Sequence, residues 1–207
     1  MTLQNRVTPL GELVATPARG RWTGNRGGRF HDPQAQTLSA RRWASRRWIC
    51  CRLDFKGRRR SVWGEGYTEL FFHDEASALA AGHRPCHECR RGNAIAFAAA
   101  VQRAFGLDGA PRTDWLDARL HAERLAAVEQ RIRVHRDQRL PDGCVIAQAS
   151  QAFVLHGGLA YPWEGFGWVD RRIERTLLAD CRLVTSPTIV GALDAGYRPD
   201  IVIMPIA

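Results

Sequence analysis

Lysine is almost missing from this chain: of its 30 basic residues, all but Lys56 are arginine. Guanidinium groups fork onto phosphate and stack on bases in ways that an ammonium group does not, so the basic charge suits a polyanion. Also missing is any apolar run near the ~18 to 20 residues that cross a bilayer, and the N-terminus carries no charged-then-apolar export segment. The expectation is a cytoplasmic protein without a membrane partner. No feature points to a protein partner. The glycine-rich segment contains neither the lysine-ended P-loop nor the spaced-glycine dinucleotide motif.

What is present is an ordinary globular mixture, 45% hydrophobic and 25% charged over 207 residues. That is enough chain for a real core, in one domain or two small ones. The net charge of +9 is unevenly placed: residues 1–60 hold 14 Arg and Lys against three acids (Glu12, Asp32, Asp54), whereas 61–207 hold 16 against 18. The excess thus lies in the N-terminal part and points to nucleic acid, DNA first and RNA as the alternative. The plain alternative is a solvated basic surface. Six cysteines (50, 51, 86, 89, 144 and 181) in a reducing compartment read as ligands, reactive thiols or packed core groups, not three disulfides.

The most informative stretch is 69–91. It reads as a short buried strand, a capped helix, a glycine stop at Gly82 and two cysteines, Cys86 and Cys89, at a new helix start. Thiolates at that spacing reach one tetrahedral metal, and Pro85 fixes the backbone from which they project. Upstream, residues 10–15 suggest a strand. The segment 19–32 packs four glycines and four arginines into a loop that suits phosphate. Asn25, His31 and Asp32 there, with Glu65, form the candidate catalytic set, since an amide, an imidazole and carboxylates can fix and activate a water. The other reading of this segment is a flexible arginine-glycine tract that binds nucleic acid loosely.

Residues 48–55 alternate as a strand, which places Cys51 toward the core and Cys50 toward the polar side. A turn at Lys56-Gly57 would return residues 58–63 as the second strand of a basic hairpin. The candidate nucleic-acid contacts are Arg19, Arg21, Arg26, Arg29, Arg41, Arg42, Arg46, Arg47, Arg58, Arg59 and Arg60. Trp163, Phe166 and Trp168 could stack on a base; the alternative is that they close a small sheet.

Asn93 is expected to cap an alanine-rich helix over 94–105 that stops at Gly106. A long helix should run from Thr113 or Asp114 to the approach of Pro141, with Leu116, Leu120, Leu125, Val128 and Ile132 on one face. Beyond 140, short runs broken by glycine read as antiparallel strands. Ala78-Leu-Ala-Ala-Gly-His-Arg-Pro85 is echoed by Ala192-Leu-Asp-Ala-Gly-Tyr-Arg-Pro199, either through shared capping chemistry or as a duplicated strand-helix unit. The expected fold class is α+β. A basic, zinc-stabilised domain over 1–106, with a β-hairpin and short helices, precedes a long helix and small antiparallel sheet over 112–207.

Residues 71–91 resemble the N-terminal zinc domain of Ada-type DNA alkylation-repair proteins. The resemblance is carried by Phe71-Phe72, Glu75-Ala76 with Ala81-Gly82, and the run His83-Arg84-Pro85-Cys86-His87-Glu88-Cys89-Arg90. It implies a four-thiolate zinc site in a DNA-binding domain, with one thiolate accepting a methyl group from damaged backbone phosphate. Cys86 and Cys89 match the second cysteine pair. The first pair of that family is separated by three residues, whereas Cys50 and Cys51 are adjacent here, so both bind one metal only through a bulge or bend. The candidate ligands are Cys50, Cys51, Cys86 and Cys89 around Zn2+, with His31, and behind it His83 and His87, as alternatives for the fourth position.

Three enzymatic readings follow, with a noncatalytic zinc module for nucleic acid as the alternative. Base excision, as in a DNA glycosylase, uses most of the chain and is preferred, with zinc structural. Methyl transfer to cysteine is what the resemblance implies. A zinc deaminase would use His73, Glu75 and the cysteine pair, but too few residues separate the two parts.

Overall fold

The computed structural model describes residues 2–58, 61–125 and 130–206. Arg59, Arg60 and Val128 lie outside the described residues. The fold is α+β, with four α-helices and two main sheets among the described residues.

The N-terminal strands are β1 (Arg6–Val7), β2 (Leu13–Val14), β3 (Trp22–Arg26), β4 (His31–Asp32), β5 (Thr37–Leu38), β6 (Trp48–Arg52), β7 (Leu70–Phe72) and β8 (Arg84–Pro85). Six of them form one sheet in the order β2-β1-β7-β3-β6-β8, and β4 pairs with β5 alone. The glycine-arginine segment is therefore not a loop: it supplies β3, the strand held between β7 and β6. Gly24 explains why a glycine stands there, since a Cβ would lie 2.1 Å from the Ile49 carbonyl oxygen and 2.8 Å from the Phe72 ring. The expected hairpin is corrected in the same way. The partners of β6 are β3 and β8, and residues 61–63 form a turn instead of a return strand.

Between β7 and β8 runs α1 (Glu75–Ala80), with Asp74 as its N-cap: Asp74 Oδ1 accepts the Ser77 N–H at 2.8 Å. Asp74 Oδ2 also takes the Trp168 indole N–H and the Val202 N–H at 2.9 and 3.0 Å. One carboxylate thus ties the helix start to the C-terminal sheet. Gly82, at φ 81°, ends the helix, and the chain turns straight into β8. Then α2 (Arg91–Phe105) begins two residues before Asn93, with Arg90 as its N-cap, and stops at a left-handed Gly106.

The next helix, α3 (Thr113–Arg124), buries Leu116 and Leu120 but is far shorter than the expected span. Residues 133–134 have already become a strand, and Leu125 and Ile132 are exposed. The arginines explain the stop. Arg124 donates to the carbonyls of Gly82 and Arg46, and Arg131 to that of Val184, so both side chains fasten the chain to other elements.

The second sheet comprises β9 (Arg133–Val134), β10 (Val145–Gln148), β11 (Gln151–His156), β12 (Leu159–Glu164), β13 (Gly167–Val169), β14 (Ile173–Glu174), β15 (Cys181–Leu183) and β16 (Ile203–Met204). Its order is β16-β13-β12-β11-β10-β15-β9, with β14 beside β12. The expected meander is β10-β11-β12, joined by short antiparallel turns. After β15 comes α4 (Pro187–Asp194), and the echoed sequences end their helices alike. His83 N bonds to Ala78 O and Tyr197 N to Ala192 O, each at 2.9 Å, after glycines at φ 81° and 100°.

The seam at 107–112 does not separate two cores. Leu79, Phe97 and Val101 pack with Ile146, Leu183 and Leu193 in one cluster, while Ala76 and Ala80 pack with Val154 and Trp168 in another. Trp168 is fully buried, Phe166 nearly so, and Trp163 lies edge-on to both. The aromatics proposed for base stacking therefore close the second sheet. No described helix is long and apolar enough to cross a membrane.

Candidate metal centre and its pocket

Strand β6 runs parallel to β8, with Ile49 opposite Arg84 and Cys50 opposite Pro85. The pairing is extended by Cys86 N–H, which donates to Cys50 O at 3.0 Å. This register sets Cys51 beside Cys86, and the turn into α2 folds Cys89 back over both. The Sγ atoms of Cys51, Cys86 and Cys89 all lie within 4.8 Å of one another. Tetrahedral zinc with Zn–S near 2.3 Å needs sulfurs about 3.8 Å apart, so the three fit one ion after a small contraction.

The surroundings favour thiolate at Cys86 and thiol at Cys51 and Cys89. The Glu88 N–H points to Cys86 Sγ and the Arg52 N–H to Cys89 Sγ, each at 3.4 Å. Hydrogen bonds from Cys51 and Cys89 pull the Cys86 thiol down to about 2, while the same contacts push Cys51 up. Three sulfurs this close share protons, an arrangement compatible with a bound metal ion.

Cys50 is not part of this group. Neighbouring strand residues face opposite ways, and the expected orientation is inverted: Cys50 is fully buried with Leu70 and Phe72, and Cys51 opens to a pocket. The reason is that the core lies on the face of β6 that carries Trp48 and Cys50. Burial pushes the Cys50 thiol up, and Arg90 Nη1 lies 3.5 Å from its sulfur. Arg90 itself pairs with Glu75 at 2.7 Å, both side chains 2% exposed, and Tyr197 donates its hydroxyl to Glu75. His73 Nε2 is held by the Val202 carbonyl. The deaminase signature is thus spent on structure: none of its His73, Asp74 and Glu75 joins the cysteines.

The three cysteines line a pocket of about 310 Å³. Its floor is one face of the sheet, where alternation presents Phe71 and Glu69, Thr23 and Asn25, and Cys51 and Ile49 on neighbouring strands. Leu53, Phe55, Val62 and Tyr67 form apolar and aromatic walls, and an Arg58–Glu88 ion pair stands at the rim. Continuing the β3–β7 register by one residue sets Asn25 opposite Glu69. Glu69 is 6% exposed; its Oε2 accepts the Trp63 N–H at 2.9 Å, and Oε1 has no partner among the described residues. Asn25 Oδ1 accepts the Gly27 N–H at 2.9 Å, which leaves its amide NH2 without a described partner. One end of the pocket therefore holds the three cysteine sulfurs, and the other a hydrogen-bond acceptor beside a donor.

Of the expected catalytic set, only Asn25 reaches this pocket. His31 is stacked on Trp63, with Nδ1 2.7 Å from Thr68 Oγ1 and Nε2 2.9 Å from the Gly64 carbonyl, so neither ring nitrogen is available. Asp32 Oδ1 caps a turn through the N–H groups of Ala35 and Gln34, which hold its carboxyl below the usual range. Glu65 is exposed and paired with Arg29 at 2.6 Å. His87 is exposed outside the sulfur cluster, and His83 is buried on the far face of the sheet. The residue missed was Glu69. Its signal was present, because Glu69 shares a strand face with Phe71, opposite the buried Leu70 and Phe72.

Among the expected nucleic-acid contacts, Arg19, Arg21, Arg29, Arg41, Arg46, Arg47 and Arg58 are exposed, Arg42 is half-buried, and Arg26 is buried. Comparison with family models, curated proteins and solved structures gave no match, so what the site does is argued from its own residues.

Proposed function

We propose that the protein is a zinc-bearing DNA-binding protein that takes one damaged or modified base into the pocket beside its three-thiolate centre and removes it by hydrolysis. The observation that carries this reading is the pocket itself, with Cys51, Cys86 and Cys89 at one end and Glu69 with Asn25 at the other. Its volume suits one extruded base, its aromatic walls suit stacking, and an acceptor beside a donor suits the hydrogen-bonding edge of a base. The exposed arginines supply the sequence-independent attraction to phosphates.

Cys51, Cys86 and Cys89 would hold the zinc, which when bound would supply positive charge beside whatever the pocket holds. The remaining steps belong to the chain. Asn25 and the walls orient the base, and Glu69 accepts a proton from water. That water adds across the N-glycosidic bond: the sugar carbon takes the hydroxyl, and the base leaves with the proton. A second reading, a noncatalytic zinc module, is favoured by the structural use of His31, Asp32 and Glu65.

The test is to incubate zinc-loaded protein with duplex and single-stranded DNA carrying alkylated or otherwise modified bases. Alkali-labile abasic sites and methyl-cysteine are then assayed. Excision predicts abasic sites, with the rate in Glu69→Gln reduced about 100-fold or more while zinc and DNA binding persist. Methyl on Cys51 would instead establish transfer, and binding without either product the noncatalytic module. Absence of binding at low salt removes the nucleic-acid reading altogether.

A further inference from the structure

A second cavity, of about 330 Å³, lies on the opposite face of the same sheet, where Arg26 and Trp48 stand paired across β3 and β6. Arg26, Arg42, Arg124 and Arg131 line it together with Trp43 and Trp48. We propose that this cavity is a binding site for a phosphate group, separate from the metal pocket and independent of the function assigned to that pocket.

The argument starts from charge. Arg26 is 3% exposed and Arg124 9%, and neither forms an ion pair with a described residue. Both guanidinium carbons lie 4.1 Å from the Trp48 ring centre. The nearby Asp117 is already occupied by Arg84, which donates Nε and Nη2 to its two oxygens at 2.8 and 2.9 Å. The one acid among the lining residues, Glu12, is solvent-exposed. Buried cations normally bring their own counter-ion, because removal from water costs several kcal/mol per charge. Burial drives both guanidinium groups down to about 9, and for Arg26 the charge of Arg124 adds to the effect.

Hydrogen bonding leaves room for that counter-ion. Arg26 donates to the carbonyls of Gly11 and Arg42 and to His83 Nε2, while Arg124 donates to Gly82 O, Arg46 O and His121 Nδ1. These bonds fix the two planes but do not use all five donors of either group. The buried Nε of Arg124 has no partner. Arg42, half-buried at the cavity, has no described partner for its guanidinium. The site therefore presents fixed, dry donors of one sign beside an unengaged arginine, the arrangement that phosphate completes.

The phosphate could be a free monoester or a phosphodiester of a nucleic-acid backbone, and titration calorimetry on the zinc-loaded full chain separates the two. The probes are inorganic phosphate, a 5′-mononucleotide, and a short oligonucleotide without terminal phosphates, at matched ionic strength. Saturable binding of the first two assigns a monoester; binding of the oligonucleotide alone assigns the backbone. Either result supports the site provided that Arg42→Ala weakens binding about tenfold, the loss expected for one charge-assisted hydrogen bond. Arg171→Ala, whose exposed side chain pairs with Glu164 and does not line the cavity, should leave every probe's affinity unchanged. Arg42 is used because Arg26 and Arg124 also hold the fold. No saturable binding by any probe, or binding indifferent to Arg42→Ala, overturns the proposal.

Discussion

At the scale of single residues, the adjacent cysteines divide the labour of the N-terminal sheet. Cys51 faces the thiolate cluster and Cys50 faces the core, so their substitution should separate cleanly. Cys51→Ser, Cys86→Ser and Cys89→Ser should each abolish stoichiometric zinc in protein desalted without chelator. Cys50→Ser should keep the metal and lose only core stability; zinc retained in all three cluster variants would refute the centre. The pair Cys86 and Cys89 was legible because two thiols at that spacing after a proline have few other uses. Which neighbour joined them was not, since alternation fixes that Cys50 and Cys51 diverge but not which face of β6 the core covers. The same limit hid Glu69, and it misassigned His31 and Asp32. Their side chains satisfy Thr68, Gly64 and a local turn, partners that spacing cannot reveal.

At the scale of elements, local signals located what local chemistry decides. The Asp74 cap, the Gly82 and Gly106 stops and the meander β10-β11-β12 all stand where capping and turn residues place them. Elements decided by distant partners were misread: β3 looked like a phosphate loop because its glycines and arginines mask a strand pattern. The consequence is testable at Gly24. An added Cβ would meet the Ile49 carbonyl oxygen and the Phe72 ring, both fixed parts of the sheet. Gly24→Ala should therefore cost about 3 kcal/mol or more in urea unfolding, as overpacking at a rigid site does. Gly66→Ala, with open space around its Cβ, should change stability by less than about 0.5 kcal/mol. Similar losses for both would mean that β3 does not sit between β6 and β7.

At the scale of the whole molecule, one six-stranded sheet separates two differently built cavities, with thiolates and a carboxylate on one face and arginines on the other. The clusters that α1 and α2 share with the second sheet join the two halves of the sequence, so the charge imbalance between them becomes an asymmetry within one packed body. Arg19, Arg41 and Arg46 are exposed and engage no described acid, whereas Arg171 and Arg172 are held by Glu164 and Asp170. Only the first group is free to exchange counter-ions with a polyanion. DNA affinity should then fall with salt on a log-log slope of about −5 if six phosphates are neutralised, each contributing about −0.9. Replacing Arg19, Arg41 and Arg46 together by alanine should make that slope shallower by about 3 units. Replacing Arg171 and Arg172 should leave it unchanged. Fluorescence anisotropy of labelled duplex across a salt series measures both. An equal response to the two sets would mean that net charge, and not the N-terminal arginine surface, holds the DNA.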